Sequence, residues 1–497
     1  MTMNLKKIFG MPVVAGLFVT TLLAGCSGDN KSVTASEAAN EMYQHISMDA
    51  VVLMRVDLKA VAENAGADFS GGKFKPGKVL QEVIDQVADE APEVNDELLD
   101  KIFAAVDMEN VVLSVDNGSE VFFTAPLTDR EFVVTEFQDE KLKKFDISEI
   151  DASAYSNQGR EKAEEVGKYD IYYSEADDTP VYFMIRDNQM WVASSPNTVM
   201  NDYTQAVETG SVASNRKCLD VLTAGTVNAI INYEALTRMG LVQMPEGMKI
   251  AYAGVNLVLD GGKMKGEMRA YDKEFVKQSY DSKDLGQPIS AADFSMIPAD
   301  ANIVMALGCP NKADIQTILS LVKLEPFVKS IAEEVLNGLE GSIVLGATVP
   351  TSMTDIANLP AWNVTLAVGF EKETAENLLS MLPLIGGKKQ GTGYSIDVPV
   401  EHMGNVTLYV AYEKGQIVVS TAPLDSRRGF ASAKTLVGSA FGMYVNLPSD
   451  GLAMQLSGMD CGIQADMIIN EEGAEGQLHL TDTKNALLTT ILERIIR

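Results

Sequence analysis

The sequence predicts an α+β protein of two tandem homologous domains, each a mainly antiparallel sheet with helices packed on one face. Three observations carry that expectation. Strand-like runs follow one another across short polar turns, helical stretches gather toward the start of each half, and blocks of the first half recur in order in the second. The chain has 497 residues, and its 46% hydrophobic content supplies apolar surface for more than one core.

The clearest recurrence aligns Val181–Pro196 (VYFMIRDNQMWVASSP) with Leu408–Pro423 (LYVAYEKGQIVVSTAP) without a gap. Tyr182/Tyr409, Gln189/Gln416, Val192/Val419 and Pro196/Pro423 are identical. Each copy reads as two strands around a short turn, Asp187-Asn188 in one and Lys414-Gly415 in the other. Asp49-Ala50 recurs as Asp300-Ala301, Val111-Val112-Leu113 as Ile343-Val344-Leu345, Val227–Asn232 as Phe441–Asn446, and Lys265–Arg269 as Glu475–His479. In chain order, with the hairpin third, the spacings are 251, 232, 227, 214 and 210 residues. A steady fall is what a second copy with shorter loops produces. The predicted domains are therefore 45–280 and 296–497, joined by a linker over 281–295 that contains Gly286-Gln287-Pro288.

Each half opens with a strand, around Val51–Met54 and Asn302–Met305. Helical spacing follows over Leu58–Ala65, Val79–Ala88 and Glu93–Val106, and in the second half over Lys312–Val322, Val328–Leu339 and Lys372–Leu382. Strands are expected at Ile171–Tyr173, Val181–Ile185, Val255–Leu259, Val364–Phe370 and Ile463–Ile469. The stretch Thr483–Ile496 returns to helical period through Leu487, Leu488, Ile491, Leu492, Ile495 and Ile496.

The amino terminus carries the most specific signal. Lys6 and Lys7 precede an apolar run, Ile8–Ala24, interrupted by Gly10, Pro12 and Gly16 and short of the ~20 residues a spanning helix needs. It ends in Leu23-Ala24-Gly25-Cys26, which resembles the lipobox of bacterial lipoproteins. In that resemblance Leu23, Ala24 and Gly25 are recognised by the signal peptidase, and the Cys26 thiol receives the lipid. Two or more acyl chains hold a protein durably at a membrane where one does not. Residues 1–25 are thus read as a lipoprotein signal peptide and 26–44 as a flexible tether. Ser27, with no aspartate at that position, favours the outer membrane by resemblance to enterobacterial sorting, with either the periplasmic face or the cell surface open.

Charge narrows the partners. Lys+Arg 40 against Asp+Glu 69 gives −29, and removal of the signal peptide with its two lysines gives −31. A polyanion repels phosphate backbones, so no nucleic-acid partner is expected. The expected partners are the membrane, through the amino-terminal lipid, and an unknown protein or glycan.

The motifs that could carry chemistry fall short. Gly72-Lys73-Phe74-Lys75-Pro76-Gly77-Lys78-Val79 approaches a phosphate-binding loop but has Val79 where a magnesium-binding hydroxyl is needed. Gly386–Gly393 is Gly-rich but runs from helix to strand, the reverse of a dinucleotide fingerprint. The acids Asp85, Asp89, Glu90, Glu93, Asp96, Glu97 and Asp100 lack calcium-loop spacing and read as a solvated helical face. His45, His402 and His479 lie in separate segments, and no G-x-S-x-G occurs. Cys218, Cys309 and Cys461 sit among apolar residues and read as buried thiols. No catalytic residue, metal site or cofactor is assigned.

The lipobox, the opening strands with Asp49-Ala50 and Asp300-Ala301, and the two related halves resemble a family of uncharacterised Bacteroidota envelope lipoproteins. That resemblance covers the mature chain and implies an exported, lipid-anchored protein of unknown activity. The expected function is a non-catalytic binding or scaffolding module of the cell envelope. The alternatives are a hydrolase of glycan or peptide with a carboxylate-based site, and a carrier of lipid or another apolar ligand.

Overall fold

The computed structural model describes residues 35–69, 74–90, 104–116, 120–139, 143–144, 169–174, 181–242, 249–280, 285–309, 333, 335–349, 362–400, 404–424, 428–451, 454 and 457–496. It divides into two units. The first holds the described residues up to Gly261, Met268–Gln278 and those from Asn485 on, and the second holds Gly262–Glu267 and Ser279–Lys484.

In chain order the first unit contains α1 (Ala35–Gln44), β1 (Val52–Val56), α2 (Leu58–Asn64), α3 (Lys78–Glu90), β2 (Val111–Val115), β3 (Val121–Pro126), α4 (Arg130–Asp139), β4 (Lys143–Lys144), β5 (Asp170–Ser174), β6 (Val181–Arg186) and β7 (Gln189–Ala193). It continues with α5 (Pro196–Thr209), α6 (Arg216–Leu222), β8 (Val227–Asn232), α7 (Tyr233–Arg238) and β9 (Tyr252–Asp260). β10 (Lys263–Tyr271) crosses the division, and β11 (Lys277–Gln278) belongs to the first unit. The second unit contains β12 (Ile303–Gly308), β13 (Leu339–Thr348), β14 (Asn363–Phe370), α8 (Lys372–Ser380), β15 (Lys388–Gln390), β16 (Gly393–Val400), β17 (Gly404–Glu413), β18 (Gln416–Ser420), β19 (Phe441–Leu447), β20 (Gly462–Asn470) and β21 (Gly473–Thr481). The last helix, α9 (Leu487–Ile496), returns to the first unit.

Strand pairing is mostly antiparallel, as expected. In the first unit β1 lies between β2 and β8, with Val52 facing Val115 on one side and Ile231 on the other. From β2 the sheet runs through β3, β7, β6 and β5 to β4, and β9 lies beyond β8. In the second unit β12 lies between β13 and β19, with Ile303 facing Ala347 and Val445. From β13 that sheet runs through β14, β18, β17 and β16 to β15, with β20 and β21 beyond β19. The pairing order is the same in both units. The registers also correspond: Trp191 faces Thr124 and Met184 as Val418 faces Ala367 and Ala411.

The matched hairpins have matched turns. Asp187 (φ 50°) and Lys414 (φ 52°) each open a two-residue turn in the left-handed region, and Gly415 (φ 85°) follows the second. Positive φ at the turn matches the right-handed twist of the flanking strands.

Three boundaries differ from expectation. The predicted tether 26–44 ends in α1, whose Met42 and Tyr43 are buried with Ile46 in the first core. Met42 and Tyr43 in the last turn of α1 and Ile46 just beyond it enter one core, which a polar composition had obscured. The predicted linker 281–295 includes Ile289 and Phe294, which belong to the second core. The predicted second domain, 296–497, loses its final helix to the first unit, where α9 packs on α2 and α3.

The helices also do not keep to one face. On β2, Val111 packs with Leu58 and Ala62 of α2, Leu80 and Ile84 of α3, and Val133 of α4. Its neighbour Val112 points the other way, toward Met42 and Tyr43 of α1 and Cys218 and Leu222 of α6. A strand apolar at both parities requires cover on both sides. The helical expectations over Glu93–Val106, Lys312–Val322 and Val328–Leu339 fall largely outside the described residues.

Asn64 ties α9 into the first unit. Its Oδ1 accepts from the Leu488 amide (2.9 Å), its Nδ2 donates to the Gly261 carbonyl (2.8 Å), and its own carbonyl accepts from Thr489 Oγ1 (3.0 Å). The buried side chain thus acts as a remote cap on a helix 424 residues away. Asn64→Ala should lower unfolding stability by about 1–3 kcal/mol, read as a fall in the urea midpoint with faster amide exchange at Leu488. An unchanged midpoint would show that the cap is dispensable.

Candidate binding surface

Strand alternation gives the second unit an apolar outer face. On β12, Val304 and Ala306 point into the core, whereas Met305 and Leu307 point the other way and are 39% and 47% exposed. Register places Leu345, itself 40% exposed, and Met443 beside Met305. Carried across five strands, that row reads Leu366, Leu345, Met305, Met443, Met467. The row beside it reads Val368, Ile343, Leu307, Phe441, Ile469. Neither row contains a polar side chain. Five strands span about 19 Å, four intervals of roughly 4.8 Å.

One margin of this face is covered. Ala375 and Leu378 of α8 pack with Ile343, Val368 and Ile417. In the first unit α2, α3 and α4 pack on the same side of the sheet, with Val56, Val111 and Phe123. Among the described residues, the part of this face on which no helix packs centres on Met305, Leu307 and Leu345. A contiguous apolar surface on a folded domain marks a place where something else is bound. Methionine, with a flexible and polarizable side chain, lets such a surface adapt to an apolar shape. The surface offers no nucleophile, acid or base. It can exclude water and hold hydrocarbon.

The sequence held the signal for this surface. Ile303–Leu307 and Ile343–Ala347 are apolar at both parities, the mark of a strand with two apolar faces, where a half-solvated strand alternates.

The predicted chemical motifs do not converge. Leu23, Ala24, Gly25 and Cys26 lie outside the described residues, as do His402, Gly72, Lys73 and the acids Glu93, Asp96, Glu97 and Asp100. His45 stands against Trp191 in the first unit (ring centroids 5.9 Å), and His479 lies on β21 of the second. Gly386 closes a short 3-10 turn at φ 93°, and the Gly-rich stretch after it forms the β15–β16 hairpin. Among the described residues no three His, Cys, Asp or Glu side chains come together as metal ligands. No helix among them is long and apolar enough to cross a membrane.

A polar cluster at the end of β1 was not foreseen. Arg55, buried in the sheet, donates through Nη1 to the Gly225 carbonyl (2.8 Å) and through Nη2 to the Glu109 carbonyl. Asp107 accepts from the Glu109 amide (3.0 Å) and Asn110 Nδ2 (2.9 Å), and Asp57 accepts from the Ala60 amide (2.9 Å). Burial holds both carboxyls above the usual carboxylate range. These bonds tie the loops before β2 and β8 to the end of β1.

The three cysteines are free and buried. Burial pushes the Cys218 thiol up to about 12 and the Cys309 thiol up to about 11, and it also raises Cys461. Only the thiolate is nucleophilic, so a raised pKa leaves these groups protonated at pH 8. Iodoacetamide at pH 8 should label none of the three in the folded protein and all three in urea, read by mass. Labelling of Cys218 or Cys309 in the native state would contradict this account.

No known protein family matches the chain, and no curated protein does. Two solved structures of TP0453, a Treponema lipoprotein, are similar at a distance. Crystal form IV is 11% identical with a TM-score of 0.24, covering 46% of this chain and 79% of TP0453. Crystal form I is 10% identical with the same score, covering 46% and 77%. A likeness at that score does not establish a common fold, and no property is transferred from it.

Proposed function

We propose that this chain is a lipid-tethered, non-catalytic binding protein of the bacterial envelope, built from two copies of one unit. Its second unit takes an apolar ligand, the acyl chain of a lipid, on the outer face of its sheet. The uncovered patch around Met305, Leu307 and Leu345 carries this reading, because it is the described surface whose chemistry specifies a ligand class. The duplication is supported by nine strands of each unit that pair in the same order with corresponding registers. Spacings of 251, 232 and 214 residues relate Val52, Val115 and Ile231 to their counterparts Ile303, Ala347 and Val445, as the aligned sequence blocks require. The tether rests on Leu23-Ala24-Gly25-Cys26, with Ser27 favouring the outer membrane.

Two measurements test the reading. The chain carrying Cys26→Ser, purified without detergent, should retain acyl lipid that organic extraction and mass spectrometry detect. Leu307→Glu combined with Leu345→Glu should remove most of that lipid while the circular dichroism spectrum is unchanged. Protein that emerges free of lipid, or a double variant that keeps it, rules the ligand out. Separately, growth with labelled palmitate should label the wild-type chain and leave Cys26→Ser unlabelled; an unlabelled wild type refutes the anchor.

A further inference from the structure

The two sheets share their registers but differ sharply at one place. On the inner face of the first unit, Arg55 faces Val112 on one side and Asn228 on the other, and Val112 faces Thr124. Ser114 lies diagonally beside Arg55, across from Leu53, and Tyr43 of α1 packs over Leu53 and Val112. The register-matched residues of the second unit are Ala306 for Arg55, Gly442 for Asn228, Ala367 for Thr124 and Gly346 for Ser114. Phe294, buried in the second core, lies at the same 251-residue spacing from Tyr43 that relates β1 to β12. Five polar side chains in one copy are matched by five without a polar group in the other.

All five are buried, with Arg55 the most exposed at 8%. Each also has a buried polar atom without a hydrogen-bond partner: Tyr43 Oη, Arg55 Nε, Ser114 Oγ, Thr124 Oγ1 and Asn228 Oδ1. Folded proteins satisfy the great majority of such atoms, and leaving one unmade costs about 1–3 kcal/mol. Five on one side of one sheet would forfeit a large part of a domain's stability.

We infer that the core of the first unit encloses a polar pocket occupied by neutral hydroxyl groups, bound to Arg55, Asn228, Thr124, Ser114 and Tyr43. The donor and acceptor inventory sets this chemistry. Arg55 Nε can only donate and Asn228 Oδ1 can only accept, while the three hydroxyls do either. An anion is opposed by Asn228 Oδ1 and by Asp107, which lies within electrostatic range of Tyr43; a cation is opposed by Arg55. A neutral O–H group both accepts and donates, so it serves every member. Such groups come from a cluster of ordered waters or from a small polyhydroxy compound.

Three readouts on the full-length mature protein test the pocket. A crystal structure at about 1.5 Å should show oxygen density at 2.7–3.2 Å from both Arg55 Nε and Asn228 Oδ1. Native mass spectrometry separates the sources, since a retained extra mass denotes the polyhydroxy compound and its absence denotes water. Tyr43→Phe and Thr124→Val should each lower the thermal midpoint by roughly 2–4 °C, because each removes a partner of a bound oxygen. Empty density, side chains bonded directly to one another, or midpoints that are unchanged or rise in both variants would overturn the pocket.

Discussion

The constraint on which this architecture rests is that its central strands are apolar on both faces. β1 and β12 each sit between two partners, so every backbone donor and acceptor along them is used in the ladder. Successive side chains then project to opposite sides, and hydrophobic burial must be found twice. The first unit meets the demand with two sets of helices, α1 and α6 on one side and α2, α3 and α4 on the other. Among the described residues, the second meets it on the inner side with Phe294 of the 3-10 turn Ala291–Phe294 and with Leu436, which follows the 3-10 turn Ala431–Thr435, and on one margin of the outer side with α8. Beyond these described elements stands the apolar surface around Met305, Leu307 and Leu345.

Much of this was legible in the sequence because it is local. The hairpins around Asp187 and Lys414 announce themselves by alternation and by turn residues, and the ordered spacings between blocks anticipate the shared registers. What escaped notice is set by tertiary contact. Ala35–Gln44 has a polar composition, and it is helical because Met42 and Tyr43 find a core to enter. Thr483–Ile496 has an obvious helical period, yet nothing local reveals that Asn64, far upstream, caps it. Arg55 sits in VLMRV as one charge in a strand, and its burial follows from carbonyls at Glu109 and Gly225 that the sequence keeps distant. The outer face of β12 and β13 is written in unbroken apolar runs, but a run apolar at both parities does not say what packs on each face.

Identity at register-matched positions of the two units marks places where the common pairing pattern leaves little freedom. Gln189 and Gln416 are both buried at the start of the second hairpin strand, and Gln416 Nε2 donates to the Asp293 carbonyl (2.9 Å) in the turn that opens the second core. A buried amide that anchors a neighbouring turn is difficult to replace, because any apolar substitute orphans the carbonyl. Difference marks positions released from that duty. Arg55 and Ala306 occupy the same site in the ladder with opposite chemistry, so the ladder itself requires neither.

The strong negative charge bears on what the outer face of the second unit can meet. A chain at −29 is repelled by anionic headgroups, so an anionic bilayer surface is an unfavourable partner even though the face itself is apolar. An isolated hydrocarbon chain carries no such penalty and gains about 25 cal/mol for each Å² of apolar area removed from water. Two rows of side chains without a hydrogen-bonding group cannot select by polar recognition; they select by length and shape. On the reading proposed above, the charge keeps the apolar strip from settling onto an anionic bilayer and leaves it open to an isolated hydrocarbon chain.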